Sequence, residues 1–158
     1  MKRYLLVVLL LYIVKLNAQI DTIPLPAVGF VQNLITDLLI DNSDQYWLTS
    51  NGQGVKKYDG NSWISIPVSN KVYTVKQGPS GDYWFGTNIG LVKYDLVDTT
   101  VYNTTNSGIP SNGVLALCFD NNDLWLGTIN GLSKYDGSNW TNYNSDNSSL
   151  DCDTINGI

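Results

Sequence analysis

The chain has 158 residues, with 9 lysines and arginines against 14 aspartates and no histidine or glutamate. Without histidine there is no common general base, no usual nitrogen ligand for a metal and no Ser-His-Asp arrangement. The acidic balance offers no basic stripe to a nucleic acid, so none is expected as a partner.

Residues 1–18 read as a secretory signal peptide. Lys2 and Arg3 precede an apolar run over 4–14, and Leu16-Asn17-Ala18 offers a small-residue cleavage point. That run is too short for the roughly 20 residues a bilayer span takes. An exported protein is expected (periplasmic, cell-surface or secreted), with no membrane insertion of its mature part. Removing these residues leaves six lysines against the fourteen aspartates, a net charge of about −8 (6 − 14). Such acidity suits the solubility of an exported protein.

Residues 19–33, with Pro24 and Pro26, read as a linker or an extra strand. From residue 34 the chain repeats itself. Leu124 to Asp136 runs Leu-Trp-Leu-Gly-Thr-Ile-Asn-Gly-Leu-Ser-Lys-Tyr-Asp, and Tyr83 to Asp95 runs Tyr-Trp-Phe-Gly-Thr-Asn-Ile-Gly-Leu-Val-Lys-Tyr-Asp. A looser copy spans 46–59, with Thr49-Ser50 in place of Gly-Thr and one residue more before Gly54. Trp47, Trp84 and Trp125 recur at 37 and 41 residues (84 − 47, 125 − 84), and Tyr58, Tyr94 and Tyr135 at 36 and 41 (94 − 58, 135 − 94).

The spaces between these landmarks hold Asp, Asn, Ser, Thr and Gly, which favour turns over helices. Short β-branched and aromatic runs alternate with them, and four such strands in about 40 residues make one blade of a β-propeller. The first blade places its strands a to d at 35–40, 46–49, 55–59 and 62–66. The second places them at 72–76, 83–87, 91–95 and 100–103, and the third at 114–119, 124–128, 132–136 and 140–143. The a–b turns, Asp41 to Asp44, Pro79 to Asp82 and Asp120 to Asp123, have the chemistry of tight reversals. Strand a begins at Ile35, Val72 and Val114, and Ile155 keeps the same spacing. The fold class predicted is all-β: a β-propeller fragment of about three four-stranded blades (34–70, 71–112 and 113–153) plus the first strand of a fourth from 154, not closed. An open fragment needs missing blades of the same chain or self-association through its open edges, and a piece of a longer chain is the expectation.

A Trp in each strand b buries about 150–250 Å², on the order of 4–6 kcal/mol as an upper bound at about 25 cal/mol/Å². Its recurrence once per blade predicts packing between neighbouring sheets, with Tyr58, Tyr94 and Tyr135 on the same interfaces. The Gly-Thr after it predicts a close backbone approach or a bulge.

Residues 120–136, with Gly137-Ser138-Asn139-Trp140-Thr141-Asn142-Tyr143-Asn144, resemble the two-component regulator propeller repeat: a strand ending in Asp, then Trp-x-Gly-Thr, Gly-Leu, Tyr-Asp-Gly and an aromatic. The link Asn106-Ser107-Gly108-Ile109-Pro110-Ser111-Asn112 is similar to that family's segment between blades. The resemblance covers roughly 34–158; the first copy departs from it at Thr49-Ser50 and Gly52-Gln53-Gly54. It implies a bacterial exported propeller, either a sensing ectodomain of a membrane kinase or a free secreted surface protein, with saccharide-like ligands for some sensors. Streptogramin-lyase-like propellers are similar in scaffold only, since their catalysis depends on histidine.

No catalytic residue, metal or cofactor is therefore expected. Asp41 with Asp44, Asp120 with Asp123, and Asp151 with Asp153 read as solvated turns, each with too few oxygen ligands for calcium. Cys118 and Cys152 fall about seven residues apart along neighbouring first strands, over 20 Å at about 3.3 Å per residue, beyond a disulfide's reach of about 7 Å. Two free thiols are predicted, Cys118 buried and Cys152 in a loop.

Propeller geometry gathers the b–c loops and the d–a links at one end of the blades. The b–c loops vary between copies where the strands do not, and their residues Asn51, Gln53, Asn88, Ile89, Ile129 and Asn130 are the candidate ligand contacts. Two functional readings stay open: a binding or sensing module for a saccharide-like or small-molecule ligand, the extracytoplasmic part of a longer two-component sensor-type protein; or a free secreted structural or adhesion propeller without a signalling partner.

Overall fold

The computed structural model describes residues 35–69 and 71–158. The signal peptide and the 19–33 segment lie outside the described residues. What is described consists of twelve strands in three four-stranded antiparallel sheets, each with its strands in chain order. The first blade holds β1 (Ile35–Ile40), β2 (Tyr46–Ser50), β3 (Gly54–Tyr58) and β4 (Trp63–Ile66). The second holds β5 (Val72–Gln77), β6 (Tyr83–Thr87), β7 (Leu91–Tyr94) and β8 (Thr99–Tyr102). The third holds β9 (Val114–Asp120), β10 (Asp123–Thr128), β11 (Gly131–Tyr135) and β12 (Trp140–Tyr143). Each of the twelve strands predicted for the three blades is present, with ends that differ by a residue at most.

The sheets stand beside one another as propeller blades, with β5 against both β1 and β9. Each first strand carries an irregularity at its second residue: β1 between Ile35 and Asp37, β5 between Val72 and Thr74, and β9 opposite Gly127 and Thr128. A bulge at one repeated place increases the local twist of each sheet in the same way. The ring is not closed. Residues 154–158 form no strand, because a first strand pairs with the second strand of its own blade. Ile155 nevertheless occupies a first-strand place, its N–H donating to the Thr128 carbonyl at 2.9 Å.

The hydrophobic core lies between blades. Trp47, Val55 and Ile66 of the first blade bury with Val72, Val75, Tyr83, Phe85 and Val92 of the second. Trp84 and Leu91 of the second bury with Val114, Leu117, Leu124 and Leu126 of the third, and with Ile109 of the link. Blades therefore stabilise one another rather than each folding around its own interior.

The two glycine-containing second strands have a steric reason. A Cβ on Gly86 would lie 2.6 Å from the Val114 carbonyl oxygen, and one on Gly127 2.5 Å from that of Ile155. The incoming first strand thus touches the preceding blade's backbone at Gly-Thr, as the sequence predicted. The matching position in the first blade is Thr49, whose hydroxyl lies 2.9 Å from that of Thr36. Thr36 in turn donates to the Val72 carbonyl at 2.6 Å.

The c–d turns expose one mismatch. Gly60 and Gly137 both have φ of 96°, and Leu96 occupies the same place at φ 81°. A leucine there bears the clash that left-handed backbone imposes on a side chain, on the order of 1–2 kcal/mol. It is half exposed, so it contributes little packing in return. Leu96→Gly should raise stability by about 1 kcal/mol after the extra freedom of the unfolded chain is counted. A urea midpoint that falls on substitution would show that Leu96 carries a contact worth more than its strain.

Candidate binding face

Each b–c loop is built from a hydroxyl that closes the turn. Thr87 Oγ1 donates to the Gly90 carbonyl at 2.7 Å and accepts the Ile89 N–H at 3.1 Å. Thr128 repeats this with Gly131 at 2.8 Å and Asn130 at 3.1 Å. In the first blade Ser50 accepts the Gln53 N–H at 2.9 Å. Its longer loop turns on Gly52 and Gly54, both at positive φ. The threonine of Gly-Thr is thus a buried staple, and the residues after it are pushed outward.

These loops meet the links between blades. Asn51 bridges to Lys71, the Asn88 N–H donates to the Lys71 carbonyl at 3.3 Å, and the Ser69 hydroxyl donates to Asn88 Oδ1 at 2.9 Å. The Ile129 N–H donates to the Gly113 carbonyl at 3.1 Å, and Asn130 Nδ2 reaches the Pro110 carbonyl at 3.5 Å. Loops and links therefore share one end of the sheets. Asn51, Asn88, Ile89, Ile129 and Asn130 are exposed there, and Gln53 is half-buried. Ile89 and Ile129 are exposed apolar side chains in successive loops, Ile89 at the place of Asn130 and Ile129 at the place of Asn88.

The other end carries the a–b and c–d turns, and here several sequence expectations change. Asp41 is not solvated: it is 5% exposed and accepts from Trp47 Nε1 at 2.8 Å and from the Tyr83 hydroxyl of the next blade at 2.6 Å. The N–H groups of Ser43 and Gln45 also donate to it. Burial alone would raise its pKa, but the hydrogen bonds from Tyr83, Trp47, Gln45 and Ser43 outweigh that and hold it below the ordinary value. The Tyr83 hydroxyl is pushed well up, by burial first and by the Asp41 carboxylate second. Asp59, Asp95 and Asp136 each cap a c–d turn, and backbone N–H donors lower all three.

Sequence reasoning missed the lysine in each Lys-Tyr-Asp. Lys57, Lys93 and Lys134 stand opposite Trp47, Trp84 and Trp125 in the ladder, with their ammonium groups 5.1, 5.2 and 5.7 Å from the indole centroids. Lys93 and Lys134 also pair with Asp82 and Asp123, at 3.0 and 2.6 Å. The signal was the repeated lysine itself, two residues after the Gly-Leu or Gly-Val pair.

Cys118 and Cys152 are both unpaired, and Cys152 is exposed. Cys118 is only half-buried, contrary to expectation, because it stands opposite Trp125 on the face of the third blade that no further blade covers. Among the described residues no three His, Cys, Asp or Glu side chains come together as a metal site. No described helix is long and apolar enough to cross a membrane.

The geometry defines a partial β-propeller of three blades. Residues 108–130 match the family model described as the two component regulator propeller. That stretch contains the link from Gly108 onward, the third first strand and the Trp-Leu-Gly-Thr phrase, so the resemblance read from the sequence is met there. No curated protein matches the chain. Among solved structures, the extracellular domain of a hybrid two component system from B. thetaiotaomicron is similar at TM-score 0.72 and 21% identity, over 89% of this chain and 20% of that one. The extracellular domain of a one component system from the same organism gives 0.64 and 23%, over 77% and 17%. Virginiamycin B lyase from Staphylococcus aureus gives 0.57 and 14%, over 72% and 47%. The chain spans about a fifth of the length of the first two structures. At these identities the likeness is one of fold.

Proposed function

We propose that this chain is part of an exported, ligand-sensing β-propeller of a two-component sensor-type protein and is not an enzyme. One observation carries the reading. The tryptophan and tyrosine landmarks repeat from blade to blade, whereas the b–c loop residues differ and project from one end (Asn51 and Gln53, then Asn88 and Ile89, then Ile129 and Asn130). A surface that varies on an invariant frame is where recognition residues are expected. The propeller repeat match and the two extracellular-domain structures support the same class. The composition supports the absence of catalysis, since histidine is lacking throughout.

A saccharide-like ligand suits the mix of amide and aliphatic side chains at this end. The half-buried Trp125, which among the described residues stacks only on Tyr143 of its own blade, is the place where a further blade would pack. Calorimetric titration of the full chain against a panel of oligosaccharides tests the sensing reading. Saturable binding to at least one sugar should weaken at least about tenfold in Asn88→Ala/Asn130→Ala, a loss of about 1.4 kcal/mol. Binding to no sugar in the panel would favour the alternative, a secreted structural or adhesion propeller.

A further inference from the structure

The two interfaces between blades are built on one plan, and comparing them exposes a vacancy in the second. Between the first and second blades, Tyr83 begins its second strand and lies stacked on Trp47, with ring centroids 3.8 Å apart. Its hydroxyl donates to the same Asp41 oxygen that accepts the Trp47 indole N–H. Between the second and third blades, Trp84 takes the place of Trp47 and Leu124 that of Tyr83. A carboxylate is again present: Trp84 Nε1 donates to Asp82 Oδ2 at 3.0 Å. Asp82 comes from the other end of its turn, and Gly78 at the Asp41 position makes room for it, since a Cβ there would lie 2.3 Å from Asp82 Oδ1. Indole and carboxylate are kept, and the phenol between them is missing.

A cleft of about 230 Å³ lies at this interface, lined by Asp82, Trp84, Lys93, Tyr102, Phe119 and Tyr135 among others. Leu124 forms part of its wall. The Asp82 side chain is 11% exposed, and the Lys93 ammonium and the Trp84 indole both engage its Oδ2. Its Oδ1 accepts no hydrogen bond from the described residues. That oxygen keeps contact with solvent, and a hydroxyl entering the cleft can donate to it, since hydrogen bonds to charged groups are the strong ones. The surrounding rings favour a planar aromatic body over an aliphatic one.

We propose that this cleft is a binding site for small phenols, with the ring among Trp84, Phe119 and Tyr135 and the hydroxyl donating to Asp82. The ligand supplies what Tyr83 supplies one interface earlier. The site lies at the turn end of the sheets, away from the b–c loops, and does not depend on what those loops bind.

The probe is p-cresol, the tyrosine side chain as a free molecule, titrated into the full chain and followed by chemical shift changes in the tyrosine and tryptophan ring resonances. Saturable one-to-one binding is expected, with shifts at Trp84, Tyr102 and Tyr135. Leu124→Tyr should abolish it by filling the cleft from within. Asp82→Asn should weaken it at least about tenfold, and toluene, which lacks the hydroxyl, should bind comparably weakly. Trp125→Ala, on the uncovered face of the third blade, should leave it unchanged. Equal binding of p-cresol to the parent and to a folded Leu124→Tyr chain overturns the proposal. So do equal affinities for p-cresol and toluene, or shifts confined to Trp125 and Tyr143. Should Leu124→Tyr not fold, the Asp82→Asn and toluene comparisons decide alone.

Discussion

Trp47→Ala should destabilise the chain by about 3–5 kcal/mol, the usual cost of emptying a fully buried tryptophan site. Trp47 has no exposed surface, stacks on Tyr83, meets Phe85 and Tyr94 at 6.2 and 6.4 Å, and donates its indole N–H to buried Asp41. Truncation removes the apolar area and also leaves Asp41 and Tyr83 short of a partner. The same change at Trp125 should cost only about 1–2 kcal/mol, because that indole is half-buried and, among the described residues, stacks on Tyr143 alone. Small globular domains hold about 5–15 kcal/mol in all, so the first variant approaches the threshold of folding and the second does not. Chemical denaturation of the two variants beside the parent measures the difference. Equal losses would mean that the tryptophans act within their own sheets, and the packing of blade on blade would have to be abandoned as the source of stability.

The second large effect is expected at Gly86. Gly86→Val should cost about 3 kcal/mol, at the upper end of what overpacking usually costs, because the new side chain enters a space already held by backbone. Its Cβ would stand 2.6 Å from the Val114 carbonyl oxygen and 2.8 Å from Thr74 Cγ2. A flexible side chain could move aside, but the Val114 carbonyl belongs to the first strand of the third blade and moves only with that blade. The loss should appear as a separation of the second and third blades, with Trp84 becoming solvent-exposed. Tryptophan fluorescence shifting to longer wavelength before global unfolding would report it. A variant as stable as the parent, with unshifted emission, would contradict the close approach. Thr49 shows what accommodating a side chain there requires: a second hydroxyl, Thr36, bonds it and takes the Val72 carbonyl. The second blade has Tyr73 where the first has Thr36, so the same accommodation is not available to Gly86.

Much of the architecture follows from local chemistry. Alternation of apolar and turn-forming residues, with tryptophan and tyrosine at one period, specifies strands and blades without reference to anything distant. The Gly-Thr phrase likewise announces a close contact, because glycine inside a strand gives up packing and needs a reason to be there. The b–c loops were legible as loops, and the structure places them with the d–a links at one end.

What the sequence determined by itself is therefore the repeat: how many blades these residues build, where each strand begins, and which side chain glues one sheet to the next. These depend on neighbours within a few residues, and the period exposes them. Only the tertiary structure decided that Asp41 is buried beneath Tyr83, that Asp82 reaches Trp84 from a different turn position, and that Leu124 leaves a cleft where the preceding interface is filled. The first and the last depend on which side chains meet across some forty residues of chain, and the second on the room that Gly78 leaves within one turn. The strength of a contact between blades is set by the shape and charge of both partners together, and no single copy of the repeat contains both.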